Sequence, residues 1–346
     1  MFTSRFDKII ASTTRAPGIE IGFSREGRPI FGFTFGTGEK RISLLAGCHA
    51  DEPVGPKLLR CLVSYLSSLS AQDEMLRKFT WHIIPQLNPD GEHKNSGWIG
   101  DIAEVVDIHS YITKVIREEP GDDIEFGFPR GDSDTEARPE NRAAYHWWKS
   151  LTGPFSLHAS LHGMAFAGGP WFLVDENWME RIDHLKLQCK AQVAKMGYQL
   201  HDIDRKGEKG FSRIERGFCT RPNSRAMSEF FRSRGDQATA NLFRPSSMEA
   251  IRTFGGDPLT LVSEMPLFIV RGMGENIYPN DPVAERWKKV STRAREAMRG
   301  ARPKDLALAS EIERLFANGE VYPMLVRDQL ELQWTFICAG IEVSLA

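Results

Sequence analysis

Cysteine is scarce in this chain, and nothing about the five present suggests pairing. Cys48, Cys61, Cys189, Cys219 and Cys338 are scattered, odd in number and without CxxC spacing. That excludes a zinc site built on paired thiolates and argues against a disulfide framework. Long apolar runs are missing too: none approaches the ~18–20 residues a membrane helix needs. No sign of charge is in excess. A net charge of −2 over 346 residues removes the electrostatic case for a nucleic-acid or anionic-membrane partner. The opening stretch, MFTSRFDKIIASTTRAPG, carries Arg5, Asp7 and Lys8 but no apolar signal core. The expectation is therefore reduced thiols in a cytoplasmic protein. Internal repeats, low-complexity tracts and a clear linker are all absent.

What is there reads as α/β. Apolar content of 41% and charged content of 26% are ordinary for a globular protein. "RPIFGFTFG" (28–36) and "RISLLAG" (41–47) are β-rich, and Thr37-Gly38-Glu39-Lys40 between them suits a hairpin. Pro53 suits a first helical turn, and Leu58, Leu59, Leu62, Leu66 and Leu69 follow at helical spacing. "FTWHIIPQLN" (79–88) is a strand ending in the turn signal Asn88-Pro89-Asp90-Gly91. Residues 100–123 read as a partly helical insertion, and a helix begins near Pro139. "FSLHASLHG" (155–163), "PWFLV" (170–174) and "PLTLVSEMPLF" (258–268) are strands, and 177–197 reads as a long helix. Helical stretches from 281 to 318 and a final apolar segment, 330–346, follow. Strands interleaved with helices predict a mixed sheet, in one catalytic domain over 1–290 with a packed C-terminal extension over 291–346.

The chemistry gathers at strand ends. "LLAGCHADEPVG" (44–55) places His49 and Glu52 where an apolar run stops and a new element starts. His162 stands at the edge of "SLHG". Glu264 lies inside "LTLVSEMPLF", where a lone carboxylate costs several kcal/mol unless paired or bound to a cation. Two histidines and a carboxylate with one open position form the ligand set of a catalytic zinc. A nearby unligated glutamate then serves as general base for the water that the metal activates. Cys48 beside His49 reads as packing, since strand neighbours point to opposite faces.

The order "HADE" (His49, Glu52), "NPDG" (88–91), "SLHG" (160–163) and "LVSEMP" (261–266) resembles the zinc carboxypeptidases of the funnelin type, over roughly residues 20 to 290. The lead-in "REGRPIFGFTFG" is similar to that family's entry strands. The resemblance implies a three-layer α/β/α fold around a mixed, mostly eight-stranded sheet. It implies one Zn2+ on His49, Glu52 and His162, with Glu264 as base and then acid, and a peptide or peptide-like substrate.

The pattern also breaks. The family's "GVDLNRNFP", whose Asn-Arg pair holds the substrate carboxylate, has "GDDIEFGFP" (121–129) as its nearest match. Gly121, Asp123, Phe128 and Pro129 fit the frame, but Glu125-Phe126 stand in place of Asn-Arg. Two like charges ~4 Å apart at an effective dielectric near 20 repel by roughly 4 kcal/mol, about a thousandfold in binding. Either a free α-carboxylate is not required and Glu125 meets a substrate ammonium, or another cation replaces the arginine. Arg130 is the nearest such cation, with Arg138 and Arg142 behind it; a solvated loop charge is the plain alternative. Asn88, Glu125, Arg130 and Arg142 are the candidate substrate-binding residues. The carbonyl-polarising arginine expected after "NPDG" is replaced by Lys94 alone, and no tyrosine lies in 240–257. "RGDSD" (130–134) reads as neither an adhesion motif nor a serine-hydrolase opening, and His146-Trp147-Trp148 as core or groove wall. "GFSRIERGFCTRPNSR" (210–225) either lines the pocket or is a solvated basic loop.

These readings converge on a zinc-dependent hydrolase of an amide bond. An amidase or deacylase acting on γ-linked cell-wall peptides or N-acyl amino acids is the first alternative. A catalytically silent binding protein of the same fold is the second.

Overall fold

Six of the seven residues of "KRISLLA" (Lys40–Ala46) are buried, so this strand lies inside a sheet covered on both faces. The computed structural model describes the chain except residues 1, 101–103, 120, 121, 123, 152, 279, 300–309, 311–313 and 346, and the side chains of 291 and 293–299. Its strands are β1 (Ile19–Phe23), β2 (Pro29–Phe35), β3 (Lys40–Ala46), β4 (Phe79–Ile84) and β5 (Leu157–Ala167), then β6 (Trp171–Val174), β7 (Arg213–Glu215), β8 (Phe218–Thr220), β9 (Leu259–Val270) and β10 (Val321–Pro323). They form one mixed sheet in the order β1-β2-β4-β3-β5-β9-β6-β8-β7, with β10 paired to β9. Among the described residues the sheet has ten strands, three of which, β7, β8 and β10, are only three residues long.

The expected hairpin between β2 and β3 does not form. Strand β4 lies between them, antiparallel to β2 and parallel to β3. A Cβ on Gly38 would sit 2.0 Å from the Lys78 carbonyl carbon, so the connection runs hard against the start of β4 instead of turning back. The partner of β2 is β1, which the sequence reading passed over. "NPDG" is likewise not a turn. Asn88 caps a helix, Pro89–Ile99, by accepting from the Gly91 N–H at 2.9 Å. The 177–197 helix is a 3-10 turn, Glu176–Arg181, followed by Asp183–Lys195. Of the 100–123 insertion, Ile108–Lys114 is helical and residues 101–103, 120, 121 and 123 lie outside the described residues. Of 281–318, Pro282–Arg299 is helical, and most of 300–313 lies outside them.

Side-chain alternation assigns the two faces. Ile42, Leu44, Leu157, Ala159, Leu161, Leu259 and Leu261 join one core with the Val54–Ser68, Asp183–Lys195 and Val326–Leu345 helices. The opposite face carries Leu45, Cys48 and Ile84 against Phe128 and Trp148, the latter from the Pro139–Ser150 helix. The Val326–Leu345 helix is integral to the first core: Trp334 stacks on Trp81 at 6.5 Å and Phe336 meets Phe172 at 4.6 Å. Each such fully buried aromatic contributes about 1.5–3 kcal/mol.

On the second face β5 presents His158, Ser160 and His162 at alternate positions. Its parallel neighbours place Leu45 beside Ser160, and Glu264 beside His162. The candidate site lies where β3 ends, the region of a parallel sheet in which ligands are normally bound.

Candidate metal centre and the groups around it

After Ala46 the chain leaves the sheet through Gly47, whose φ is +70° and whose absent Cβ would lie 1.8 Å from Gln86 Oε1. Only glycine fits that corner. The turn brings His49 and Glu52 in front of the Val54–Ser68 helix, facing His162 on β5. His49 Nδ1 is 2.7 Å from Glu52 Oε1 and 3.2 Å from His162 Nδ1, and His162 Nδ1 is 3.1 Å from Glu52 Oε2. Two imidazole nitrogens and a carboxylate therefore converge on one point.

The residues fit a zinc ion. Four-coordinate zinc with bonds of 2.0–2.1 Å holds its ligand atoms about 3.3 Å apart, close to the separations found. Two ring nitrogens 3.2 Å apart repel unless a proton or cation lies between them, and Glu52 Oε2 is buried without a hydrogen bond. Burial opposes the Glu52 charge, yet His49 and His162 hold its pKa well below the usual carboxylate range. Burial likewise works against a charged His162, and Glu52 more than offsets it, so the ring holds a proton well above its ordinary value. Imidazole and carboxylate donors suit zinc among the divalent ions.

The far side of His162 is also engaged. Its Nε2 lies 2.7 Å from Ser160 Oγ and 3.3 Å from Glu125 Oε2. Glu125 Oε1 accepts from Arg221 Nη2 at 2.9 Å, with Ser247 Oγ 3.5 Å away. Burial disfavours this carboxylate, but the His162 hydrogen bond and the Arg221 charge bring its pKa down to about 2. Glu125 thus differs from the expectation: its carboxylate is buried against His162 and Arg221 rather than offered to a substrate. Carboxylates placed behind ligating histidines fix the ring's orientation and tautomer. On the opposite face of the sheet, Gln333 donates to the His162 carbonyl at 3.2 Å and lies 3.1 Å from Ser263 Oγ.

The other candidates are placed as follows. Asn88, besides capping its helix, donates to Glu118 Oε1, and Glu118 Oε2 accepts from the Ala50 N–H at 3.2 Å. Arg130 donates to the Phe243 carbonyl and Arg142 to the Thr135 carbonyl; neither contacts the ligand set. Arg138 pairs with Glu140. Phe126 packs edge-on against Phe243 at 5.7 Å, so an aromatic wall stands where the family motif carries arginine.

Glu264, on β9, is the in-register neighbour of His162 on one side and of Trp171 on the other. Burial and the nearby Glu52 charge push its pKa up to about 8. Arg117 pairs with Asp51 at 3.0 Å beside Glu52, and Tyr111 donates to the same carboxylate at 3.3 Å. Sequence reasoning missed Arg117 because it stands in the stretch taken as an insertion. It missed Gln333 because a lone glutamine in an apolar helix carries no motif. Arg221, inside the arginine-dense string, proves almost fully buried rather than solvated. Cys48 lies against Ser160 with its thiol pushed up to about 11 by burial, so it is protonated at neutral pH. Cys48, Glu125 and His162 also approach one another closely enough to share an ion, on the side of His162 that Ser160 occupies.

A family model described as zinc carboxypeptidase matches residues 11–168, the segment that carries His49, Glu52 and His162. Over this segment, just under half of the chain, the sequence is similar to the zinc carboxypeptidases. Among curated proteins similar to it, carboxypeptidase D from Homo sapiens is 30% identical over 131 residues, covering 36% of this chain and 9% of that protein. Carboxypeptidase E from Caenorhabditis elegans is 29% identical over 194 residues, covering 46% of this chain and 39% of that one. The chain thus spans well under half the length of these relatives. Of solved structures, a metallo-carboxypeptidase from Burkholderia cenocepacia aligns with a TM-score of 0.47 at 15% identity, over 99% of this chain and 68% of that one. Carboxypeptidase A from Helicoverpa armigera aligns with a TM-score of 0.46 at 12% identity, over 99% and 71%. Metal-dependent peptide hydrolysis is the chemistry of this family, and no described helix is long and apolar enough to cross a membrane.

Proposed function

We propose that this zinc carboxypeptidase relative is an active hydrolase that cleaves an amide bond in a peptide or peptide-like substrate, using one zinc ion held by His49, Glu52 and His162. Zinc, when bound, acidifies water and polarises the scissile carbonyl. Glu264 takes the proton released as water attacks and delivers it to the leaving amine. The observation that carries this reading is the in-register pairing of Glu264 with His162, which ties the base to a ligand through adjacent strands. A positive charge on the ligand set favours the ionised form of Glu264, the form a base requires. Glu125 and Ser160 hold the His162 ring, and Arg117 stands beside Glu52 as a cation for the carbonyl oxygen.

A second reading, amidase or deacylase action on γ-linked peptides or N-acyl amino acids, is favoured by the Phe126–Phe243 contact where the carboxylate-binding pair would be. A cytoplasmic site of action is part of the proposal, in keeping with five free cysteines. The test is mass-spectrometric. Zinc-loaded protein meets peptides with free or amidated C-termini, γ-linked peptides and N-acyl amino acids, with chelator and Glu264→Gln as controls. Cleavage that both controls abolish supports the reading, and its absence across the panel contradicts it.

A further inference from the structure

The ring of Trp171 projects on the same face of the sheet as Glu264, because the two residues are direct cross-strand partners. Phe211 packs on Trp171 with ring centroids 6.3 Å apart. Over Phe211, 4.3 Å from its ring centre, lies the guanidinium of Arg205. The segment that carries it is pinned: Asp202 takes two hydrogen bonds from Arg213, at 2.9 and 3.0 Å, and Gly207 N–H donates to the Phe211 carbonyl at 3.0 Å.

Arg205 differs from the other arginines on this side. Arg213 pairs with Asp202, Arg221 with Glu125, Arg244 with Asp134 and Arg252 with Asp175. The guanidinium of half-buried Arg205 lies over an aromatic face, and no acid forms an ion pair with it among the described residues. Burial pulls its pKa below the usual guanidinium value, and Glu264 is one of the acids whose field reaches it. A desolvated, unpaired guanidinium presents a fork of donors matched to carboxylate geometry.

We propose that Arg205 is a specificity-determining residue that binds a carboxylate of the substrate, with Trp171 and Phe211 as the apolar wall beside it. This rests on the hydrolase reading above and narrows it to amides that carry a free carboxylate, a property shared by C-terminal peptides and N-acyl amino acids. The cation missing from the 121–129 loop is then supplied by the segment after β6.

The test measures binding without turnover. Zinc-loaded Glu264→Gln protein is titrated calorimetrically with the acetylated dipeptide of phenylalanine, as free acid and as C-terminal amide. The acid is expected to bind at least tenfold more tightly than the amide. Arg205→Gln should reduce that preference below threefold, Arg205→Lys should keep part of it, and Arg205→Glu should reverse it. Equal affinity for acid and amide, failure of both to bind, or a preference that survives Arg205→Gln overturns the inference. Cleavage does not enter this measurement, so loss of the carboxylate preference is read separately from loss of hydrolysis in the substrate panel.

Discussion

Replacing Glu125 with glutamine separates support of the metal from support of the fold. The substitution keeps shape and hydrogen-bonding capacity but removes the charge that faces Arg221 at 2.9 Å and His162 at 3.3 Å. At an effective dielectric of 20, opposite charges at ~3 Å attract by about 5–6 kcal/mol, much of which offsets desolvation. Leaving one partner of a buried pair without its counter-charge typically costs about 3–5 kcal/mol. Glutamine still accepts a hydrogen bond from Arg221, so the expected loss of stability is about 3 kcal/mol. Zinc affinity should fall about 10- to 100-fold, because His162 loses the carboxylate that orients its ring. Urea denaturation of the metal-free protein measures the first quantity, and competition with a chromophoric chelator the second. Reduced stability with zinc affinity within twofold of wild type would refute the argument, leaving Glu125 as an anchor for Arg221 alone.

Three further outcomes follow from the same geometry. Gln333→Leu removes the donor to the His162 carbonyl and should lower kcat about tenfold with little change in KM; Gln333→Glu, which keeps the size but not the donor, should not restore it, and recovery in that variant would count against a positioning role. His82 and His201, each held to about 4 mainly by burial, stay neutral in the fold and gain protons on unfolding below about pH 6.5. The unfolded chain therefore binds more protons, and stability present above pH 6.5 is lost as pH falls towards 4, by roughly 6 kcal/mol for the two together; a double glutamine variant that keeps the full slope in urea titrations would show that other groups set it. Cys48→Ala should cost about 1 kcal/mol of packing and change kcat less than threefold, because its thiol is protonated at neutral pH; a hundredfold loss would give the thiol a chemical role.

The legible part of the site was its local part. His49 and Glu52 are three residues apart at the end of an apolar strand, and His162 and Glu264 each interrupt an apolar run, so burial of ionisable groups marked all four. The partners that hold them come from far along the chain: Arg221 is 96 residues from Glu125, and Gln333 is 171 from His162. No spacing rule reaches that distance. Glu125 was misread for a physical reason: an acid in a carboxylate-binding motif suggests repulsion of substrate until buried Arg221 and the candidate ligand His162 are seen on either side of it. The fold class was legible from alternating strand and helix patterns. The order of strands was not, because the short 37–40 connection invites a hairpin, whereas β4, almost forty residues later, inserts between β2 and β3.

Zinc stoichiometry decides whether His49, Glu52 and His162 hold a metal. The chain and its His49→Ala, His162→Ala and Glu264→Gln variants would be equilibrated with zinc, dialysed without chelator and analysed by inductively coupled plasma mass spectrometry. About one zinc per chain is expected in wild type and Glu264→Gln, with far less in both histidine variants. Wild-type protein that retains no zinc, or a His162→Ala variant that retains it fully, would contradict it.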